Sequence, residues 1–254
     1  MMKILSHSGL FVLFVLTLAS CDKKITGVGD PVTEKRSMPV FTAINLAMAE
    51  RIYLVQDSTY SIVLEGQQNI LDEVVTLYDN GGLTFRIKDH HSLGNHTPVR
   101  VTIHAPGVTA VSVSGSGSLN VMSAWKGAEL SAGLGGSGEI NLNKVETAVI
   151  RVNISGSGSL KAVSGFAGQQ HLTISGSGNM NLQNVKGDTV YSSISGSGDM
   201  SVWTAYLLDG TISGSGNIYY RGTPVIISHI SGSGRMITLY LAGFTEFYPG
   251  QNNG

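Results

Sequence analysis

The chain has 254 residues, a formal net charge of −1, and 13% charged against 42% hydrophobic residues. A charged fraction so far below the roughly 25% of ordinary globular chains leaves neutral polar residues and 33 glycines to carry much of the surface. The absence of a basic stripe argues against nucleic acid as a partner, and a single cysteine rules out an internal disulfide.

The first predicted element is a signal peptide over residues 1–20. An apolar run from Leu10 to Ala19 follows Lys3 and is too short to span a bilayer as a stable helix. It ends in Leu18-Ala19-Ser20-Cys21, which resembles a bacterial lipobox. The resemblance implies that Cys21 is lipidated and becomes the new N-terminus, so that a membrane is a partner through the N-terminal lipid. The expected location is then the cell envelope, anchored to a bacterial membrane (the outer one), with periplasmic and surface-facing placements both open. The rest of the sequence holds no second long apolar stretch from which to expect a transmembrane helix. Residues 21–37 are polar and glycine-containing and are expected to form a flexible tether.

From 38 to 106 the pattern is β. Ile52-Tyr53-Leu54-Val55 and Tyr60 to Leu64 are apolar runs of strand length. Val74 to Tyr78 and Leu83 to Ile87 flank Asp79-Asn80-Gly81-Gly82, a strong hairpin signal. A helical turn could open the stretch Asn69 to Leu77, and residues 89–97 form the clearest loop. Two readings stay open here: irregular coils of the architecture that follows, or a separate small β-sandwich.

The next stretch, 107–238, is built on one phrase. Ser-Gly-Ser-Gly begins at Ser114, Ser155, Ser175, Ser195, Ser213 and Ser231, and Gly135-Gly136-Ser137-Gly138 fills the gap. The steps between successive starts are 21, 20, 20, 20, 18 and 18 residues, the mark of a solenoid. An apolar residue precedes every copy (Val113 through Ile230) and another stands two places after it (Leu119 through Met236), so stacked coils would align them as inward ladders. Val111/Val113, Val152/Ile154 and Leu172/Ile174 alternate with polar residues at strand spacing. The phrase is therefore read as a corner. Its glycines are Gly115 and Gly117, Gly136 and Gly138, Gly156 and Gly158, Gly176 and Gly178, Gly196 and Gly198, Gly214 and Gly216, and Gly232 and Gly234. They are expected to turn with positive φ. The serines between them, such as Ser116 and Ser157, are expected to stack and satisfy corner backbone groups. The fold class is all-β: a right-handed parallel β-helix with coils of about 18–21 residues, in one domain over 38–248. Residues 239–248 are expected to cap its end, with Phe244 and Phe247 folding over the open core.

The lipobox, the strand-rich lead-in and the repeated phrase together resemble the auto-transporter adhesin family with a head GIN domain, over roughly residues 38–238. The resemblance implies a pectin-lyase-like β-solenoid without those enzymes' catalytic residues, and a role in adhesion. Copies in that family often carry Asp after the second glycine. Here the slot holds Ser118, Glu139, Ser159, Asn179, Asp199, Asn217 and Arg235.

Chemistry of other kinds has little support in the sequence. Glu139 and Asp199 share a slot three coils apart, roughly 14 Å at about 4.8 Å per coil. Glycoside hydrolysis uses carboxylates about 5–9.5 Å apart. A calcium repeat needs acid where this chain is apolar. His90, His91, His96 and His104 are close in sequence, but no carboxylate or cysteine completes a zinc spacing. Arg86, Lys88, Arg100 and Arg151 show no evident acidic partner. Trp125, Trp203, Tyr191, Tyr206, Tyr219, Tyr220 and Tyr240 could stack on sugars or fill the core. The leading expectation is a non-enzymatic, lipid-anchored envelope protein without cofactor or metal, whose ligand is a glycan or a surface protein. A homo-oligomer, a carbohydrate-active enzyme on the same fold and a structural assembly module remain as alternatives.

Overall fold

The computed structural model describes residues 23–239. Ten strands and one helical turn precede the regular coils: β1 (Lys23–Ile25), β2 (Pro31–Arg36), β3 (Ala43–Leu46), β4 (Arg51–Val55), β5 (Ser61–Gln67), α1 (Gln68–Leu71), β6 (Val74–Asp79), β7 (Gly82–Ile87), β8 (His91–Leu93), β9 (Arg100–His104) and β10 (Ala110–Val113). Five long bent strands follow, β11 (Ser118–Leu134), β12 (Glu139–Ile154), β13 (Ser159–Ile174), β14 (Asn179–Ile194) and β15 (Met200–Ile212). Three shorter ones complete the described chain: β16 (Ile218–Arg221), β17 (Val225–Ile230) and β18 (Met236–Thr238).

From β10 onward every pairing is parallel and links one coil to the next, the arrangement of a β-solenoid. The β11–β12 register divides a coil into three faces, which we call the first face (118–121), the short face (124–127) and the long face (129–134). The coil shortens from 20 to 18 residues between β14 and β15. There the register shifts between Leu182 and Lys186, where the first face passes into the short one, and again between Gly187 and Thr189. The apolar rows expected from the sequence form the core. Val113, Leu134, Ile154, Ile174, Ile194 and Ile212 are buried, as are Leu119, Ile140, Leu160, Met180, Met200 and Ile218. Trp125 is also fully buried and donates Nε1–H to the Val108 carbonyl at 2.7 Å, so it fills the core.

Bending a strand leaves carbonyls at the corner between the short and long faces without ladder partners. Buried polar side chains supply some of them: Thr147 Oγ1 donates to the Val149 carbonyl at 2.9 Å and Thr204 Oγ1 to Leu207 at 2.8 Å, while Gln170 Nε2 donates to Val185 at 3.0 Å where the first face passes into the short one.

The phrase is the corner between the long and first faces, but its glycines do not turn with positive φ. Among the described glycines that conformation belongs to Gly29, Gly81, Gly165 and Gly222. Close stacking explains the phrase instead. A Cβ added at either glycine from Gly136 onward would fall within 3.0 Å of the carbonyl oxygen of the equivalent glycine one coil below. Corner amides bond downward, as Ser157 N–H does to Gly136 O at 3.1 Å and Ser177 N–H to Gly156 O at 3.2 Å. The middle serines, Ser116 through Ser233, face solvent, and backbone amides do the work expected of their hydroxyls. After the second glycine, side chains take over the ladder in the last coils. Asn179 Oδ1 accepts from Asp199 N–H, Asp199 Oδ1 from Asn217 N–H, and Asn217 Oδ1 from Arg235 N–H.

The N-terminal region corrects the expectation of a tether. Residues 23–36 are not a free tether: β1 pairs with β8, and β2 pairs antiparallel with β5. Residues 38–106 join the same sheet as the coils in less regular layers and form no separate sandwich. β3 and β4 stack in parallel under β10 and β11, while β5 pairs antiparallel with β9 and β6 with β7. β7 and β9 lie parallel beneath β3 and β4, and the antiparallel strands β6 and β5 in turn cover the edges of β7 and β9. The Asn80-Gly81 turn has positive φ at both residues, as a two-residue hairpin requires. No helix among the described residues is long and apolar enough to cross a membrane. Cys21, Tyr240 and the cap residues Phe244 and Phe247 lie outside the described residues.

Candidate functional site

A solenoid presents each outward slot as a row, one side chain per coil about 4.8 Å apart. The most chemically varied row is on the short face. In register it runs Lys126, Glu146, Phe166, Lys186, Trp203 and Arg221. Glu146 is bridged by Lys126 at 2.7 Å and by Lys144, from the same face, at 2.5 Å. These lysines pull its carboxyl down to about 2, so it stays ionised at neutral pH. Phe166 is 44% exposed in the next coil. Arg221 stacks its guanidinium on Trp203, 4.0 Å from the ring centroid, and donates to the Gln183 carbonyl at 3.1 Å. Phe166 and Trp203 lie two coils apart, about 9.6 Å along the axis.

Beside Phe166 is a shallow depression of about 730 Å³, bounded by Gly127, Lys144, Glu146, Thr147, Gly165 and Phe166. Gly165 helps shape its floor. Its φ is +149°, and a Cβ there would meet the Val145 backbone. Four cations, Lys126, Lys144, Lys186 and Arg221, stand on this face against Glu146.

The long face carries a second row, Ser131, Arg151, His171, Tyr191 and Asp209. His171 stacks on Tyr191 with centroids 4.9 Å apart. Burial, and then the Arg151 charge, lower the His171 pKa and favour its neutral form. Arg151 is paired with Glu129 at 2.5 Å.

The other sequence candidates are dispersed. Of the aromatics, Trp125 is core, Tyr206 is 71% exposed by itself, and Tyr220 accepts a bond from Thr238 at 2.7 Å. Glu139 and Asp199 lie in one ladder three coils apart, as the repeat implies. The histidines separate into pairs, each with its own carboxylate: His91 with Glu73 at 2.5 Å, His96 with Glu50 at 2.8 Å and His104 with Asp57 at 2.6 Å. Those carboxylates are distant in sequence, so no local spacing reveals them, and no set of three metal-ligating groups forms among the described residues. The basic residues also have acidic partners: Arg86 with Asp89, Lys88 with Glu73, and Arg100 with Glu65. Sequence reasoning misses Phe166. Aligning the coils at period twenty would have found it, because it falls in the outward slot of Glu146 and Lys186.

Stacked parallel coils with a row of cations, aromatics and one carboxylate on one face define a β-solenoid. The chain belongs to the family described as "Putative auto-transporter adhesin, head GIN domain", which matches residues 40–224. No curated protein matches it. Among solved structures, it is similar to a putative adhesin of Bacteroides fragilis NCTC 9343, with TM-score 0.76, 21% identity, and 85% of this chain and 100% of that chain covered. A putative adhesin of Parabacteroides merdae ATCC 43184 gives TM-score 0.68 at 22% identity, covering 86% and 100%. A putative lipid binding protein of Parabacteroides distasonis ATCC 8503 gives 0.73 at 24%, covering 86% and 100%. At these identities the likeness is one of fold.

Proposed function

We propose that this is a non-enzymatic, lipid-anchored cell-envelope protein with an adhesion-like role, and that its short face binds a glycan bearing acidic groups. The observation that carries this reading is the row Lys126–Glu146–Phe166–Lys186–Trp203–Arg221, with three cations and two aromatic rings along one axis. Rings offer apolar platforms to sugar faces, and cations offer partners to carboxylate or sulfate groups. The family and the adhesin names of similar structures support the adhesive role. Lipidation at Cys21 would place the anchor two positions before β1 and let the row run away from the membrane, for which the outer membrane, surface-facing, is the fitting placement. The carboxyls whose pKa values depart from the ordinary range (Asp57 and Glu146, each about 2, and Glu73) all move downward, through bonds to His104, Lys126 and His91 respectively. A glycosidase acid would move the other way.

The test is titration calorimetry of the mature protein with acidic and with neutral polysaccharides. Acidic chains should bind, with affinity that falls as salt rises. Phe166→Ala and Trp203→Ala should each weaken binding by about 1 kcal/mol, roughly fivefold. Equal affinity for neutral chains would overturn the acidic specificity. Binding unchanged in both variants would move the site off the short face.

A further inference from the structure

Charge and ring alternate along the short face. Glu146 gathers Lys126 from the coil below, at 2.7 Å, and Lys144 from its own strand, at 2.5 Å, so two cations on one carboxylate leave that site with a net positive charge. The coils above place Phe166, Lys186, Trp203 and Arg221 in the same slot, one each. Positive charge therefore recurs at every second coil, about 9.6 Å apart, with an aromatic ring at each coil between. No carboxylate among the described residues pairs with Lys186 or Arg221. Asp188, two residues beyond Lys186, falls in the register shift between Gly187 and Thr189 and is not in the row.

Phe166 and Trp203 share a slot two coils apart, so a linear ligand that touches both runs along the solenoid axis. An extended β-linked glycan advances per sugar by close to the rise of one coil, about 4.8 Å. Successive sugars then meet successive slots. An acidic group brought to an exposed cation gains a charge-assisted hydrogen bond. Brought against a ring, it loses water and gains no partner. An uncharged sugar has the opposite preference, because its apolar face packs on the ring.

We propose that the short face selects an alternating glycan, a linear chain in which acidic and uncharged sugars take turns. The acids sit at Arg221, at Lys186 and at the cluster of Lys126 and Lys144, and the uncharged sugars between them pack on Trp203 and Phe166. This rests on the assignment of the face to acidic glycans and adds the repeat that the face selects.

Titration calorimetry of the mature protein at physiological salt tests it with three oligosaccharides of equal length. In hyaluronan a uronic acid alternates with an uncharged amino sugar, in oligomannuronate every sugar is acidic, and cello-oligosaccharides carry no acid. Hyaluronan should bind about tenfold more tightly than oligomannuronate, although it carries half the charge, and the neutral chain should bind most weakly. The double variant Phe166→Lys with Lys186→Phe keeps the composition and net charge of the face and breaks only its alternation. Both positions are exposed, so its melting temperature should match the parent's. Its preference for hyaluronan should disappear while oligomannuronate still binds. Should the swap fail to fold, Lys186→Gln serves, and should weaken hyaluronan binding about fivefold. Oligomannuronate binding as tightly as hyaluronan in the parent would overturn the alternation and leave the acidic-glycan reading in place. So would a folded swap that keeps the preference, or a Lys186→Gln chain that binds hyaluronan undiminished. Binding of neither acidic chain would overturn that reading and the alternation with it.

Discussion

Gly176 is free of a side chain because Gly156 O stands where its Cβ would go. The same holds one coil up and one coil down, so the corner is a column of backbones packed too closely for any Cβ. Gly133, in the long face one residue before the buried Leu134, has no such neighbour. Its Cβ would meet Ser112 Cβ at 3.6 Å, an ordinary contact. The two positions should therefore respond oppositely to one methyl group. Gly176→Ala is expected to cost about 1–3 kcal/mol or more, since neither backbone can move without shifting a whole coil. Gly133→Ala should be neutral or stabilising by up to about 1 kcal/mol through the unfolded chain. Urea midpoints of the two variants check this, and equal losses would show that the corner glycines serve conformation and not approach.

The loop between β7 and β9 shows how one element is held by charge. His96 Nδ1 faces the Gly94 carbonyl at 2.7 Å and Nε2 faces Glu50 at 2.8 Å. Both partners accept, so both ring nitrogens donate and the ring is an imidazolium. Glu50 is itself buried, and its other oxygen accepts from Val99 N–H at 2.7 Å. Burial alone would lower the His96 pKa, but the Gly94 carbonyl and the Glu50 carboxylate together raise it above 6.5. A folded pKa above the unfolded one stabilises fully below about 6.5 and less as pH climbs through the raised value. Amide protection over residues 94–99 should thus fall as the medium goes from pH 6 to 9, and Glu50→Gln should flatten the profile. A flat profile in the unsubstituted protein would mean that the ring is neutral and the contact uncharged. Asp57 and Glu73 act in the acidic range, where their lowered carboxyls lose their partners' support on protonation.

At the scale of the molecule, a solenoid adds stability coil by coil and offers its rows as one continuous surface. Its N-terminal edge is occupied by antiparallel strands, with β1 tied to β8 close behind Cys21 in sequence. If Cys21 carries the lipid, Cys21→Ser should shift the protein from the membrane to the soluble fraction while leaving its melting temperature unchanged, because no described contact depends on the anchor. Membrane fractionation with and without a high-salt wash reads the result. A variant that stays in the membrane fraction through the wash would place the anchor elsewhere.

By itself the sequence determined the solenoid, its period and its two inward apolar rows, because a repeat forces equivalent residues into equivalent places, and the spacing of Val113, Leu134, Ile154 and their successors can be read without coordinates. It also announced the Asn80-Gly81 hairpin, where local geometry alone decides. Only the tertiary structure decided why the phrase is glycine-rich, since the crowding at Gly156 or Gly176 comes from a carbonyl twenty residues away. It alone tied residues 23–36 into strands and paired each of His91, His96 and His104 with a carboxylate. Those partners lie far apart along the chain, and their meeting depends on how coils stack and how the N-terminal strands fold back, which no local pattern of residues encodes.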